Sequence, residues 1–167
     1  MSMKTAVFIL FIALISLQKA RGQAYTTNAK TLITSFLKEV YQTSDNSQKI
    51  AEDYIALSKE NNEFSSAKRY EIVSQHIDML RKGESISNDS KIIPDANSLN
   101  RFTIVSYASL SENTSPPFTL NDSQKKNVYV ALFNNKAFRY FLIENNKILS
   151  FDYIKKGQNG PAYFFSY

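Results

Sequence analysis

The chain has 167 residues, no cysteine, one histidine and a formal net charge of +5. That composition excludes disulfide scaffolds and argues against zinc-type sites built from thiolates or several imidazoles. The positive surplus sits largely at the front, where Lys4, Lys19 and Arg21 have no acidic neighbour; behind residue 22, 17 basic residues face 15 acidic ones. So small an excess gives little long-range attraction for nucleic acid or an anionic surface.

The first 22 residues have the layout of an export signal. Lys4 precedes an apolar run from Ala6 to Leu17, shorter than the ~20 residues a spanning helix needs, and small residues follow at Ala20 and Gly22. Cleavage is expected after Gly22, with Ala24 as the competing position. The reading is therefore a signal peptide over 1–22 and one α+β domain over 23–167. It would be exported, to a periplasm or outside the cell, as a soluble protein. No cysteine follows the apolar run, so a lipoprotein anchor is not expected, and no membrane span should be left after cleavage.

A helix is expected from about Asn28 to Tyr41, since Leu32, Phe36 and Val40 recur every four residues and Ile33, Leu37 and Tyr41 repeat the pattern one place on. A second is expected from Ser47 to Lys59, with Ile50, Ala51, Tyr54 and Ile55 inward and Asp45 or Ser47 as its cap. A third begins at Ser65 or Ser66, shows Tyr70, Val73, Ile77 and Leu80 to the core, and stops at Arg81-Lys82-Gly83.

From Glu84 to Asn100 the chain is polar, with a short strand conceivable at Lys91–Ile93. The period then changes to two, which predicts strands at Arg101–Ser109, Asn127–Phe133, Ala137–Ile143, Ile148–Ile154 and Ala162–Tyr167. Asn134-Asn135 and Asn145-Asn146 suit tight reversals because Asn tolerates positive φ, and Gly157-Gln158-Asn159-Gly160-Pro161 is a turn. The expectation is an antiparallel meander of four to five strands behind three helices.

These strands lack a clean wet face. Ala137–Ile143 divides into Phe138, Tyr140 and Leu142 against Ala137, Arg139, Phe141 and Ile143, and Ile148–Ile154 is nearly as apolar on both sides. Either helices close a curved sheet over a Tyr-lined cavity, or the second face docks a partner or a second copy as a homodimer, or both faces are ordinary core.

Three helices ahead of a curved meander resemble the cone-shaped α+β architecture of the NTF2-like superfamily. Phe36-Leu37-Lys38-Glu39-Val40-Tyr41 and Ile50-Ala51-Glu52-Asp53-Tyr54-Ile55 are similar to the openings of many such domains. A cystatin-like fold is the nearest rival. The resemblance is architectural, departs from the usual layout in having no strand between the second and third helices, and transfers no activity.

His76 falls on the edge of the third helix's apolar face. A catalytic role would require a carboxylate such as Asp152 or Asp53 within hydrogen-bond reach. Arg139 and Asp152 are the charges inside the meander. A hairpin closed at Asn145-Asn146 pairs Ile143 with Ile148 and would set Arg139 opposite Asp152 as an ion pair.

Arg139, Tyr140, Tyr153, Tyr129 and Tyr107 are the residues expected to meet a ligand. No cofactor is implied. Asn88, Asn113 and Asn121 each begin an Asn-X-Ser/Thr sequon. The expected function is an exported domain that binds a hydrophobic small molecule or a protein; the rival readings are a His76/Asp152 enzyme and an enzyme inhibitor of immunity type.

Overall fold

A computed structural model of the chain describes residues 28–43, 46–59, 63–84, 94, 98–110, 118–157 and 160–167. Residues 1–22, expected to be an export signal, the strand considered at Lys91–Ile93 and the sequons at Asn88 and Asn113 lie outside these residues. The architecture is α+β. Three helices pack on one face of a four-stranded antiparallel sheet, and a two-stranded sheet lies on the other.

The first helix, α1, covers residues 28–42 and buries Ala29, Ile33, Phe36, Leu37 and Val40 along one stripe. The second, α2, is Ser47–Tyr54, capped by the Asn46 side chain accepting from the Gln48 amide at 2.8 Å. It is shorter than expected, and its cap is Asn46 rather than Asp45 or Ser47. It stops early because the chain turns into extended structure at Ile55. There Ile55 bridges Ile148 in parallel and the Ala56 amide donates to the Ile148 carbonyl at 2.9 Å. A backbone partner on the sheet edge outweighs the continuing helical periodicity.

The third helix, α3, is Ser66–Arg81 with Ser65 as N-cap. Its end is a Schellman motif. Gly83, at φ 72°, donates to the Leu80 carbonyl at 3.0 Å and Glu84 to that of Met79 at 2.9 Å.

Polar contacts join the helices at one corner. Ser47 is bonded to Asp78 and Arg81, at 2.5 and 2.9 Å, and Arg81 Nε donates to the Val40 carbonyl at 2.8 Å. The Tyr41 hydroxyl donates to the Leu80 carbonyl at 3.1 Å.

The main sheet runs in the order β1 (Phe102–Ser106), β2 (Val128–Phe133), β3 (Lys136–Glu144), β4 (Lys147–Ser150). The first strand is cut short by a 3₁₀ turn at Tyr107–Ser109. A helix that periodicity did not signal, α4 (Asp122–Lys126), precedes β2; Asn121 and Gln124 cap it reciprocally. The two-residue turns after β2 and β3 hold Asn134, Asn135, Asn145 and Asn146 at φ between 49° and 62°, the left-handed region where Asn is tolerated.

Two irregularities change which side chains share a face. At Ala131/Leu132 the register slips by one, so Ala131 pairs with Arg139 and Leu132 with Ala137. The extra residue, Phe138, turns to the helix side with Phe141 and Ile143 instead of following Tyr140. A second slip lies at Leu142/Ile143, where Ile143 still pairs with Ile148 but Leu142 meets Ser150, leaving Leu149 as the extra residue.

The strand expected at Ile148–Ile154 is in fact two. It leaves the main sheet after Ser150, passes through Phe151 and Asp152, and resumes as β5 (Tyr153–Lys155), which pairs only with β6 (Ala162–Phe164). The last strand is correspondingly shorter than Ala162–Tyr167.

Each face of the main sheet therefore has its own core. The larger joins the three helices to Tyr129, Phe138, Phe141, Ile143, Ile148 and Phe151. The smaller joins Val130 and Tyr140 to Tyr153 and Ala162, with Phe118 stacked on Phe164 at 4.6 Å and an interplanar angle of 2°. Each fully buried ring or branched side chain contributes ~1.5–3 kcal/mol.

The left-handed turns supply a direct check. Replacing Asn145 by Val should cost about 1–2 kcal/mol in urea unfolding, whereas Asn145→Gly should leave stability within ~0.5 kcal/mol of the parent. Equal stability of all three proteins would contradict the turn assignment.

Candidate functional site

Arg139 projects from the β3 bulge and Asp152 from the break between β4 and β5. Arg139 Nη1 donates to Asp152 Oδ1 at 3.0 Å, and both side chains are 3 % exposed. The pair forms without the ladder expected to align it, because Asp152 lies beyond the last paired residue of β4. Arg139 also stands over the Phe138 ring at 5.6 Å.

The break itself is bonded by Ser150. Its hydroxyl is 2.8 Å from the Asp152 carbonyl and 2.6 Å from that of Phe165.

His76 has a different neighbour from the one anticipated. Its Nδ1 lies 3.0 Å from the Tyr167 hydroxyl, and its ring packs against Phe165 and Tyr167, each at 5.3 Å between centroids. Asp53, the other carboxylate considered for it, is exposed on α2, where its main-chain carbonyl accepts from Lys147 Nζ.

Tyr167 is buried. Its main-chain oxygen accepts from Arg69 Nη2 at 2.7 Å and from the Ser58 amide at 2.6 Å, while Arg69 Nη2 also donates to the Ser58 carbonyl. Burial raises the Tyr167 phenol well above its ordinary pKa; the Asp152 charge adds to this and Arg139 opposes it. Burial likewise lowers the pKa of His76. Tyr41 is also held protonated, by burial partly offset by Arg139.

The five residues expected to meet a ligand separate. Tyr129 is buried in the helix-side core, whereas Tyr140, Tyr153 and Tyr107 gather around Phe118 on the opposite face. Arg139 is committed to Asp152. Among these five only Tyr107 is more than slightly accessible.

A concave feature with room for a ligand lies elsewhere among the described residues. A cleft of about 480 Å³ opens at one end of the sheet, where the segment after α2, helix α4, the β3–β4 turn and Ser166 converge. Leu57, Leu142 and the bulged Leu149 give it apolar surface. Ser58, Ser123, Gln124, Asn127, Asn145 and Ser166 supply hydroxyl and amide groups, and Lys59, Lys147 and Glu144 supply charge. Its volume is within the usual range for small-molecule sites. Such a lining can hydrogen-bond and pack against a ligand. Among the described residues its lining contains no imidazole.

Sequence reasoning missed Arg69, Tyr167 and this cleft. Arg69 did leave a signal, since it lies four residues before Val73 and eight before Ile77, on the stripe α3 buries. The cleft left none, because four segments distant in sequence build it.

The buried histidine gives a pH prediction. Because the folded pKa of His76 is below that of the unfolded chain, the unfolded state binds more protons between the two values. Stability should fall as pH drops through about 6.5 and the loss should level off below the folded pKa. In urea melts across this range His76→Gln should flatten that part of the profile; an unchanged slope would contradict the assignment.

No family model matches the chain, and no curated protein or solved structure is detectably similar to it.

Proposed function

We propose that this chain is an exported binding domain of NTF2-like architecture that takes a small amphiphilic molecule in the cleft between the segment after α2, α4 and the β3–β4 turn. The observation that carries this reading is the cleft's mixed lining. Three leucines lie beside a ring of serine, asparagine and glutamine groups, in a volume of about 480 Å³. A ligand with one apolar flank and several hydrogen-bonding groups suits such a surface.

Export is supported by the signal-like layout of residues 1–22. The NTF2-like comparison is supported by three helices placed before an open antiparallel sheet. Binding is favoured over chemistry because the groups best suited to acid–base work are engaged away from the cleft, Asp152 by Arg139 and His76 by Tyr167. Among the described residues no helix is long and apolar enough to cross a membrane.

The fluorescent amphiphile anilinonaphthalene sulfonate serves as a probe. It should bind the folded protein saturably, and Leu149→Glu, which puts a carboxylate in the cleft against the dye's sulfonate, should weaken binding by about tenfold or more. Ile154→Glu, on the exposed side of the β5–β6 hairpin, is the control and should leave binding unchanged. Equal affinity in the Leu149 variant and the parent, with both folded by circular dichroism, would overturn the assignment.

A further inference from the structure

The wall of the cleft is continuous with the only histidine in the chain. Ser58 and Ser166 both line the cleft. Ser58 is joined to the main chain of Tyr167 by its own amide, and Arg69 bonds the main-chain oxygens of both residues. Residues 165–167 and 56–59 are thus sewn together and tied to α3 by Arg69, and the Tyr167 ring is their second seat on that helix. That ring is buried against Phe151 at 5.5 Å and Phe165 at 5.3 Å, and its hydroxyl reaches His76. Phe165 is tied back to the sheet break through its amide, 3.0 Å from the Asp152 carbonyl.

We propose that His76 and Tyr167 form an acid-sensitive latch: charging His76 unseats the Tyr167 ring from α3 and loosens the cleft wall formed with Ser58, which Arg69 then holds without the ring's support. The inference rests on the cleft being the binding site.

The donor inventory of imidazole supplies the chemistry. With its proton on Nε2, neutral His76 accepts the Tyr167 hydroxyl hydrogen at Nδ1; once charged, both ring nitrogens donate and that bond must reverse. The cation would also lie against the Phe165 and Tyr167 rings, where burial already disfavours the charged form.

Few other charges bear on the latch. Tyr167 faces His76 from the C-terminal segment. From the sheet, Asp152 and Arg139 act on the Tyr167 phenol in opposite directions. From α3 itself, Arg69 holds the Tyr167 main-chain oxygen. None of these adds a direct electrostatic stabilisation of a charged His76; burial is the cause of its lowered pKa.

Ligand-free hydrogen exchange of the full chain tests the latch, read at the amides of Ser58 and Phe165. The Ser58 amide is bonded to Tyr167, and the Phe165 amide to the Asp152 carbonyl, where the latch segment joins the sheet break. Relative to intrinsic rates, their protection should fall about tenfold or more between about pH 7.5 and about pH 5. The Ile143 amide, bonded to the Asn127 carbonyl in the main sheet, should not change.

His76→Gln should keep both amides protected at either pH. Tyr167→Phe, which retains the ring, should lower their protection already at about pH 7.5. A pH-independent parent, an equal loss in His76→Gln, or full protection in Tyr167→Phe would each overturn the latch. Because no ligand enters this measurement, a flat exchange profile with cleft-specific dye binding intact rejects the latch alone. Dye binding indifferent to Leu149→Glu rejects the cleft reading instead.

Discussion

Arg139 and Asp152 carry opposite charges 3.0 Å apart where almost no water reaches them, and the path of the chain is arranged around that fact. Separating such a pair by removing one partner costs about 3–5 kcal/mol, because the other charge is left buried and uncompensated. Arg139 is presented by an extra residue in β3 and Asp152 by a break after β4, so neither charge reaches the other through regular sheet geometry. Arg139 Nε has no hydrogen-bond partner among the described residues, a cost of ~1–3 kcal/mol against the pair. The pair is thus better understood as fixing where the chain bends than as a large net source of stability.

The bend divides the interior into two cores. Had the strand continued past Ser150, Phe151 and Tyr153 would have faced the same side. Instead Phe151 packs beneath the helices, near Phe36 at 5.3 Å, while Tyr153 crosses to the other face and meets Tyr140 at 5.7 Å. The β5–β6 hairpin then covers the second face with aromatic rings, and the chain returns under the helices to place Tyr167 beside His76. In a protein without cysteine these two aromatic cores do the work a disulfide does elsewhere. The cleft borders the same arrangement, since Ser166 belongs to the returning segment.

Local chemistry was legible where it was self-contained. The stripes of α1 and α3, the Ser65 cap, the Gly83 terminus and both Asn-Asn turns could be read because each depends on residues only a few places apart. Helix α2 was misjudged at its end because Ile55 and Ala56 answer to Ile148, a backbone partner far along the chain. The bulge at Phe138 was equally invisible, for alternation alone cannot show that one residue is supernumerary; the apolar character of Phe138 fits either face. The Arg139–Asp152 contact was anticipated through a ladder that the structure replaces with a bulge and a break. The contact rests on burial and charge.

Whether this pair governs the bend is tested most directly by a double-mutant cycle in urea unfolding, with Arg139→Met, Asp152→Leu and both together. Each single change should cost about 3–5 kcal/mol, and the double change should cost much less than their sum, with a coupling of ~2 kcal/mol or more. Single effects that add within ~0.5 kcal/mol would mean the two charges do not depend on each other, and would contradict the pair's central role.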